Sequence, residues 1–389
     1  MLSNLVLGDA VLEVDLEAIQ KNFLTVSSLV SSSTKVAAVV KSDAYGLGML
    51  SVAESLHAAG CNFFFVANLY EATALRAKLS NVDIAVFFDE YPDFYSIYIK
   101  ERLLPVINNW HDTRTLAALP EKQRYVLNVD TGFSRLGLSL LDVRDLYLSG
   151  FFEQRRPVAV MSHLACSDHS ADQTNVLQRN RFRSAYELVK PGIGSLAASA
   201  GVWLGSAYHF GMVRIGSALY GLNNAGVSPN PLCSTIRLGA QVLDIREVAP
   251  REAVGYGATY RTKRASRLAI VGIGYRHGLP WSCAHRISAR IEAHAAPVVG
   301  RISMEYITVD VTDIPEQLCH RDTWVDILDE DFGPEQLAEA AGVAPQEILI
   351  RLGSGCTRRY IHAPAPLITD AEPRRGDRPD HSAEVLRPN

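Results

Sequence analysis

Long apolar runs, a basic excess and a secretory signal are all missing from this 389-residue sequence. Its apolar runs are short, as at 36–40 and 84–88, whereas about 20 residues are needed to span a bilayer. Lysine and arginine number 38 against 42 aspartates and glutamates, a balance that does not favour nucleic acid or an anionic membrane as a partner. Residues 1–5 lack the basic and apolar regions of a signal peptide. We therefore expect no membrane and no nucleic-acid partner.

Paired cysteines are also missing. The six cysteines are scattered, without a C-x-x-C pair or a histidine at ligand spacing; they are Cys61, Cys166, Cys233, Cys283, Cys319 and Cys356. This pattern argues against a zinc site and against a disulfide framework, and is typical of a reducing compartment. We expect a cytoplasmic protein without a metal site. Apolar residues make up 48% of the chain, which is enough for a large core.

Short apolar segments alternate with longer segments of helical period between residues 35 and 220. The predicted strands are 36–40, 63–66, 84–88, 104–107, 125–129, 158–161 and 197–199, and the predicted helices are 50–59, 71–79, 110–119, 140–148 and 173–189. Continuously apolar strands separated by helices indicate a parallel sheet covered on both faces. This many units favours a closed (β/α) barrel over an open sheet. Residues 41–46, KSDAYG, cannot serve as the G-x-G-x-x-G turn of a dinucleotide-binding sheet.

The pattern changes after residue 231, where strand-like segments follow one another with turns between them. They are 236–248, 268–273, 287–295, 297–299, 307–311 and 323–327, with one clear helix at 334–341. This part is predicted to form a second, mainly β domain. The last residues, from about 364, are rich in proline, arginine and aspartate, which favours a flexible tail.

Lys41 directly follows the first predicted strand, and reactive side chains of (β/α) barrels lie at the C-terminal ends of strands. A partly desolvated lysine has a lowered pKa and suits Schiff-base chemistry. The alternative is a lysine that merely marks the end of a strand, and its position alone does not exclude that alternative.

The surroundings of Lys41 favour the chemical role. Residues 39–48, VVKSDAYGLG, resemble the pyridoxal-phosphate lysine motif of alanine racemases. Further segments follow in family order: 130–137 (DTGFSRLG), 161–163 (MSH), 198–200 (ASA), 212–221 (MVRIGSALYG), 255–260 (GYGATY), 272–275 (GIGY) and 299–305 (VGRISME). The resemblance covers roughly residues 10–360.

This resemblance implies an α/β fold with a (β/α)8 TIM-type barrel and a C-terminal, mainly β domain. The expected limits are 12–233 for the barrel, 234–364 together with a strand at 1–11 for the second domain, and 365–389 for the tail. It also implies pyridoxal 5'-phosphate as cofactor, a small amino acid as substrate and a head-to-tail homodimer with shared active sites. In each site the residues of the second domain would come from the partner.

The resemblance also assigns roles in racemisation, in which the α-proton leaves one face of the substrate and another returns on the opposite face. Lys41 would bind the cofactor and act as base for the D-enantiomer, and Tyr256 of the partner subunit would serve the L-enantiomer. His163 would hydrogen-bond this tyrosine. Arg214 would donate to the pyridine nitrogen and, because a guanidinium stays protonated, would keep that nitrogen unprotonated. Arg135 would orient the substrate carboxylate, a task suited to a guanidinium.

The remaining expected site residues bind the phosphate or the substrate. Tyr45, Ser199 and the backbone amides of Gly216 and Ser217 would hold the phosphate, while Met304, Tyr275 and Ser354 would contact the substrate. For His163 and Tyr275 a purely packing role is the alternative.

Four positions depart from the family pattern. Asn128 replaces a lysine that is often carbamylated, and its role would fall to the amide itself or to an anion such as chloride. Ser303 and Glu305 stand where cysteine and aspartate are common. Ser354 aligns with a tyrosine that walls the substrate side chain, so we expect serine or larger amino acids to be accepted better than in typical members.

Three other functions compete with racemisation. A decarboxylase of the same fold type would place an acidic residue against the pyridine nitrogen, and Arg214 argues against it. A non-catalytic cofactor-binding homologue or an inactive regulator is disfavoured by the second domain and by the full set of Lys41, Tyr256, Arg135 and Arg214.

Overall fold

The computed structural model describes residues 10–89, 91–119 and 123–362 of the chain. Residues 1–9 and the predicted tail, 365–389, lie outside the described residues. No helix within the described ranges is long and apolar enough to cross a membrane, and within the same ranges no three histidine, cysteine, aspartate or glutamate side chains are grouped as a metal site.

Eight parallel strands form a nearly closed barrel. They are Lys35–Val39, Phe63–Val66, Asp83–Val86, Leu104–Ile107, Val126–Asn128, Ala159–Met161, Ile193–Ser195 and Met212–Ile215. Each of the first six pairs with the next along the chain, and the eighth pairs with the first, so of adjacent strands only the seventh and eighth are not directly paired. The remaining seam is bridged by main-chain hydrogen bonds from Gly211 N to Gly194 O (3.0 Å) and from Arg214 N to Ala197 O (3.0 Å). The barrel of the (β/α)8 type is therefore confirmed.

Helices connect the barrel strands and cover the sheet from outside. They are Leu16–Leu29, Met49–Ala58, Leu69–Lys78, Tyr91–Lys100, Trp110–Ala118, Leu140–Leu148, Phe151–Gln154 and Gln173–Val189. Polar residues start several of them: the side chains of Asn68, Asn109, Ser139 and Asp172 accept hydrogen bonds from backbone amides of the first turn. The barrel strands are buried along almost their whole length, which explains their continuous apolar pattern.

The second domain is built on a mainly antiparallel eight-stranded sheet. Its strands are Val11–Asp15, Ile236–Val248, Ser266–Val271, Ser288–Ile291, His294–Val299, Ile307–Asp310, Trp324–Leu328 and Thr357–Ile361, with the helices Pro334–Ala341 and Pro345–Gly355 beside them. Val11–Asp15 lies between Ile236–Val248, to which it is antiparallel, and Thr357–Ile361, to which it is parallel. The N-terminal strand of this sheet therefore extends past the expected boundary at residue 12.

Several predicted elements differ from the structure. The strand predicted at 197–199 is wrong: the strand is Ile193–Ser195, and Ala198 makes an isolated bridge to Arg214. Segment 287–295 is not one strand, because the chain reverses between Ser288–Ile291 and His294–Val299. Pro345–Gly355 is a second helix of this domain that the pattern did not indicate.

Candidate active site

A cavity of about 270 Å³ opens at the C-terminal ends of the barrel strands, where (β/α) barrels carry their active sites. A wider groove of about 790 Å³ lies at the opposite end, where Lys35, Phe63 and Asp83 begin their strands. We therefore assign function to the smaller cavity. It brings together eight of the predicted site residues: Lys41, Tyr45, Arg135, His163, Ser199, Arg214, Gly216 and Ser217.

Lys41 is followed by a left-handed turn. Four successive residues, Ser42, Asp43, Ala44 and Tyr45, have φ values of 55°, 53°, 55° and 57°. For residues with a side chain this conformation costs roughly 1–2 kcal/mol each, so the surrounding structure must hold the turn in place. The turn brings Lys41 and Tyr45, at its two ends, into the same cavity.

The Lys41 amine has a lowered pKa. Burial is the main cause and the positive charge of Arg135 adds to it, while Glu71 opposes both. The ammonium nitrogen lies 5.6 Å from the centroid of the Phe87 ring. A lowered pKa raises the fraction of neutral amine, which is the nucleophilic form of lysine.

Arg214 is a buried cation held by neutral groups. Its side chain is on the strand Met212–Ile215, and the residue is only 3% exposed. One terminal nitrogen donates to the carbonyl (2.8 Å) and the hydroxyl (2.7 Å) of Ser195, and the other donates to the carbonyl of Ser162 (2.6 Å). Within the described ranges no carboxylate forms an ion pair with Arg214. Burial and Arg135 lower its pKa to about 10, so it keeps its charge at neutral pH.

His163 is held as a neutral imidazole. Burial is the main cause that lowers its pKa to about 3, and the charges of Arg214, Arg135 and Lys41 lower it further. Its ring and that of Phe133 pack in a T-shaped arrangement, with centroids 5.2 Å apart. The Arg135 guanidinium lies 4.3 Å from the centroid of the same Phe133 ring. Phe133 therefore positions both side chains at the cavity.

Ser199, Gly216 and Tyr45 form the far end of the cavity. The Ser199 hydroxyl accepts hydrogen bonds from the amides of Gly216 (2.9 Å) and Ala218 (3.2 Å). A Cβ on Gly216 would lie 2.6 Å from the Tyr45 hydroxyl oxygen, so glycine is needed for this close approach. Burial raises the pKa of Tyr45 to about 12, which keeps the phenol protonated and able to donate. Ser217, 7% exposed, begins a short 3-10 turn.

Asn128 has no hydrogen bond to Arg135. Its amide nitrogen donates to the Asn108 side-chain oxygen (2.8 Å) and to the Leu136 carbonyl (3.0 Å). Asn108 in turn donates to the carbonyls of Phe87 and Val106, both at 2.9 Å. Because every amide hydrogen of this pair is used, Asn128 retains only an acceptor oxygen. Because a guanidinium donates and does not accept, the predicted role of Asn128 beside Arg135 could fall only to this oxygen or to an anion, and it stays a prediction.

Four predicted site residues do not line this cavity. Tyr256 is 70% and Met304 53% exposed on the surface of the second domain. Tyr275 and Ser354 line a separate surface groove, together with Trp281. A single chain therefore does not bring these four residues to Lys41.

The structure adds residues that the sequence did not indicate. Gln346, at the start of the helix Pro345–Gly355, reaches the cavity from the second domain. Asn224 also lines it, and the side-chain oxygen of Asn224 is buried without a hydrogen-bond partner among the described residues. The signal for Gln346 was weak: Pro345 is a typical first residue of a helix, but nothing in the sequence places that helix against the barrel.

Comparison with known proteins covers both domains. Residues 14–224 match the family model of the alanine racemase N-terminal domain, and residues 235–360 match that of the C-terminal domain. Alanine racemase 3 of Mesorhizobium japonicum is 56% identical over 361 residues, which are 93% of each chain. The biosynthetic alanine racemase of the same organism is 56% identical over 354 residues, 91% of this chain and 89% of the relative.

Solved structures agree with the architecture. The alanine racemase of Bartonella henselae, with covalently bound pyridoxal phosphate, is 34% identical and gives a TM-score of 0.86 over 91% of this chain and 99% of the other. The biosynthetic enzyme of Pseudomonas aeruginosa is 29% identical, with a TM-score of 0.83 over the same shares. This chain belongs to the alanine racemase family.

Proposed function

We propose that the protein is a pyridoxal-phosphate-dependent racemase that interconverts L- and D-alanine. The observation that carries the proposal is the pairing, in one cavity, of a lysine with a lowered pKa and a buried arginine that has no carboxylate partner in the described part of the chain. The family supports alanine as the substrate, since the relatives with 56% identity are both alanine racemases.

The cavity residues fit the proposed cofactor. Lys41 offers an amine that is more readily neutral than a free lysine. At the other end the absence of a Cβ on Gly216 leaves the backbone open beside the Tyr45 hydroxyl, which suits a phosphate bound by Tyr45, Ser199 and the amides of Gly216 and Ser217. When bound, the cofactor supplies an electron sink for the charge left at Cα.

Two side chains exchange protons with the substrate in this proposal. Lys41 removes or returns the proton at Cα on one face through its Nζ, and Tyr256 of the partner subunit acts on the other face through its hydroxyl. Arg135 orients the substrate carboxylate from the cavity wall, with the Met304 amide of the partner subunit on the other oxygen. Neutral His163 accepts a hydrogen bond from the tyrosine.

Arg214 favours racemisation over decarboxylation. With the cofactor bound, the charged Arg214 guanidinium would donate to the pyridine nitrogen and keep that nitrogen an acceptor, which would weaken the electron sink and discourage side reactions. A decarboxylase would need an acidic side chain at this place, and Arg214 is instead held by the Ser195 and Ser162 carbonyls. Release of carbon dioxide from amino acids would contradict this part of the proposal.

The exposed aromatic residues of the second domain favour a homodimer. An aromatic patch is formed by residues exposed by 44–70%: Tyr256, Tyr275, Trp281, Met304 and Tyr306. Leu136, which lines the Lys41 cavity, is itself 44% exposed. Contiguous patches of large apolar residues at a surface mark protein contacts, so in this proposal the aromatic patch of one chain covers the cavity of the other. Tyr275 then lies at the substrate entrance, and Ser354 remains a candidate contact with the substrate side chain. The cytoplasm is the proposed location.

A chiral assay of an amino-acid panel tests the substrate. We expect L- and D-alanine to interconvert, with the visible absorbance of the bound cofactor lost in Lys41→Ala together with activity. Serine in the same panel tests the broader specificity proposed for Ser354, and a strong preference for alanine would contradict that broader specificity.

A complementation experiment tests the shared site. Lys41→Ala and Tyr256→Phe chains are each expected to be inactive as homodimers. In a statistical mixture about half of the dimers are mixed, and each mixed dimer holds one site with both native residues. Recovery of about a quarter of the wild-type sites is therefore expected. No recovery after proven subunit exchange would contradict the shared arrangement.

A further inference from the structure

The left-handed turn after Lys41 is stabilised internally by its own backbone. Ala44 N donates to Val40 O (2.9 Å), Gly46 N to Ser42 O (2.8 Å) and Gly48 N to Asp43 O (2.8 Å). These bonds alone do not explain the conformation, because the same backbone groups can pair in a right-handed turn without the steric cost. Contacts from other segments must therefore select the left-handed form.

Asp43 makes most of those contacts. One oxygen of its carboxylate accepts from the Met49 amide (2.7 Å), at the start of the helix Met49–Ala58. Its own amide donates to the Glu71 carboxylate (3.1 Å), whose other oxygen accepts from the Ala67 amide (2.8 Å). The second carboxylate oxygen of Asp43 accepts from Arg358.

Arg358 approaches from the other domain. It lies on the strand Thr357–Ile361, which pairs with Val11–Asp15 in the second sheet. The nitrogen that donates to Asp43 also donates to the Gly46 carbonyl (2.9 Å). Arg358 thus contacts the turn at two points, both within five residues of Lys41 in sequence.

The backbone of the helix Pro345–Gly355 also presses on this turn. A Cβ on Gly353 would lie 2.0 Å from Gly46 O, and a Cβ on Gly46 would lie 2.8 Å from Leu349 O. The turn is therefore packed against the second domain without space for rearrangement on that side, and Arg358 fixes it by direct hydrogen bonds.

We propose that Arg358 is a positioning residue for Lys41: by binding Asp43 and Gly46 it keeps the turn in the left-handed form that presents Lys41 and Tyr45 to the cavity. The inference rests on the proposed function for the roles of Lys41 and Tyr45. The position of the Lys41 amine then depends on the second domain, which is also the domain that supplies Tyr256 to the partner's site.

A general loss of stability is a poor alternative explanation. The Arg358 side chain is 30% and the Asp43 side chain 54% exposed, and ion pairs as open as this one contribute little to global stability. A large effect on cofactor binding together with a small change in melting temperature would therefore indicate positioning.

The test compares Arg358→Ala with Arg359→Ala. Arg359 is the next residue on the same strand and forms an ion pair with Glu13. Arg359→Ala therefore removes the same charge from the same strand but breaks no contact with the turn. Hydrogen exchange of the peptide covering residues 41–49 is measured on the full-length protein as purified. We expect exchange roughly 10-fold faster in Arg358→Ala and unchanged in Arg359→Ala.

Cofactor binding is the second measurement. Removal of the cofactor and titration with pyridoxal phosphate should show an affinity roughly 10- to 100-fold weaker in Arg358→Ala, with partial recovery in Arg358→Lys, which keeps the charge. Because Arg358 acts partly through Asp43 and partly through Gly46, the double variant with Asp43→Asn should bind less weakly than the sum of the two single effects predicts.

The outcomes separate the two proposals. Unchanged exchange in Arg358→Ala, or equal effects of Arg359→Ala, would overturn the positioning role. Faster exchange with unaltered cofactor affinity would also overturn it. Failure of the wild-type protein to bind pyridoxal phosphate would instead refute the proposed function, while the exchange measurement would still decide whether Arg358 holds the turn.

Discussion

Replacement of Gly216 by alanine tests the phosphate end of the cavity, because the size of the disturbance can be worked out from the structure. The new Cβ would lie 2.6 Å from the Tyr45 hydroxyl oxygen, whereas ordinary contacts begin at 3.4 Å. The hydroxyl must therefore move by about 0.8 Å. The Tyr45 ring has little freedom to follow, since it packs on buried Tyr220 with centroids 4.9 Å apart.

Two consequences of this movement can be estimated. Overpacking of a buried contact should lower the free energy of unfolding by about 1–3 kcal/mol. Displacement of the Tyr45 hydroxyl should remove one hydrogen bond to a charged phosphate, which is worth about 1.5–3 kcal/mol. The cofactor is then expected to bind roughly 10- to 150-fold more weakly.

The assay is a titration of cofactor-free protein with pyridoxal phosphate, with thermal unfolding measured in parallel. Gly192→Ala is the matched control, because a Cβ there would meet nothing closer than Val158 O at 3.7 Å. A cofactor dissociation constant of Gly216→Ala within twofold of the wild-type value, or an equal loss in Gly192→Ala, would refute the reasoning.

Three further predictions concern buried polar groups. Arg214→Gln should lower kcat at least roughly 100-fold in the chiral assay, because one amide cannot replace donors to both Ser195 and Ser162; a kcat near wild type would contradict this. The pKa of His163 is lowered to about 3, so the unfolded chain binds a proton that the folded chain does not, and stability should fall as pH decreases from about 6.5 towards 3. In denaturant titrations the free energy of unfolding should fall less steeply with decreasing pH in His163→Asn, by up to about 1.4 kcal/mol per pH unit. Identical slopes in the variant and the wild type would contradict this. Asn108→Ala removes two buried hydrogen bonds and one partly buried hydrogen bond and should cost about 2–4 kcal/mol in the same titrations, whereas a loss below about 1 kcal/mol would show that the site is open to water.

The barrel could be predicted because its strands are buried on both faces and leave an uninterrupted apolar pattern. The apolar pattern did not predict elements in which close packing requires a glycine. A Cβ on Gly194 would lie 2.8 Å from the Tyr186 ring, so the strand Ile193–Ser195 carries a residue that favours turns. The helix Pro345–Gly355 was missed for the same reason, since Gly353 and Gly355 are required by close contacts with Gly46 and His277.

The candidate site could be predicted where it depends on strand ends. Lys41 and Arg214 follow or end parallel strands, and such ends meet at one edge of a barrel. Gln346 could not be predicted, because its place depends on how the second domain packs on the first. The same holds for Tyr256, whose approach to Lys41 requires a second chain in the proposed dimer.

The strand Val11–Asp15 has a consequence for how the chain is made. Its parallel neighbour, Thr357–Ile361, follows 346 residues later. At ordinary rates of translation this neighbour leaves the ribosome roughly 20–70 s after the first strand. During that interval one edge of Val11–Asp15 cannot pair with Thr357–Ile361. Exposed strand edges are prone to wrong pairing. The C-terminal sheet therefore cannot close until residues 357–361 have left the ribosome, so its completion is a late step of folding that is open to wrong pairing in the meantime.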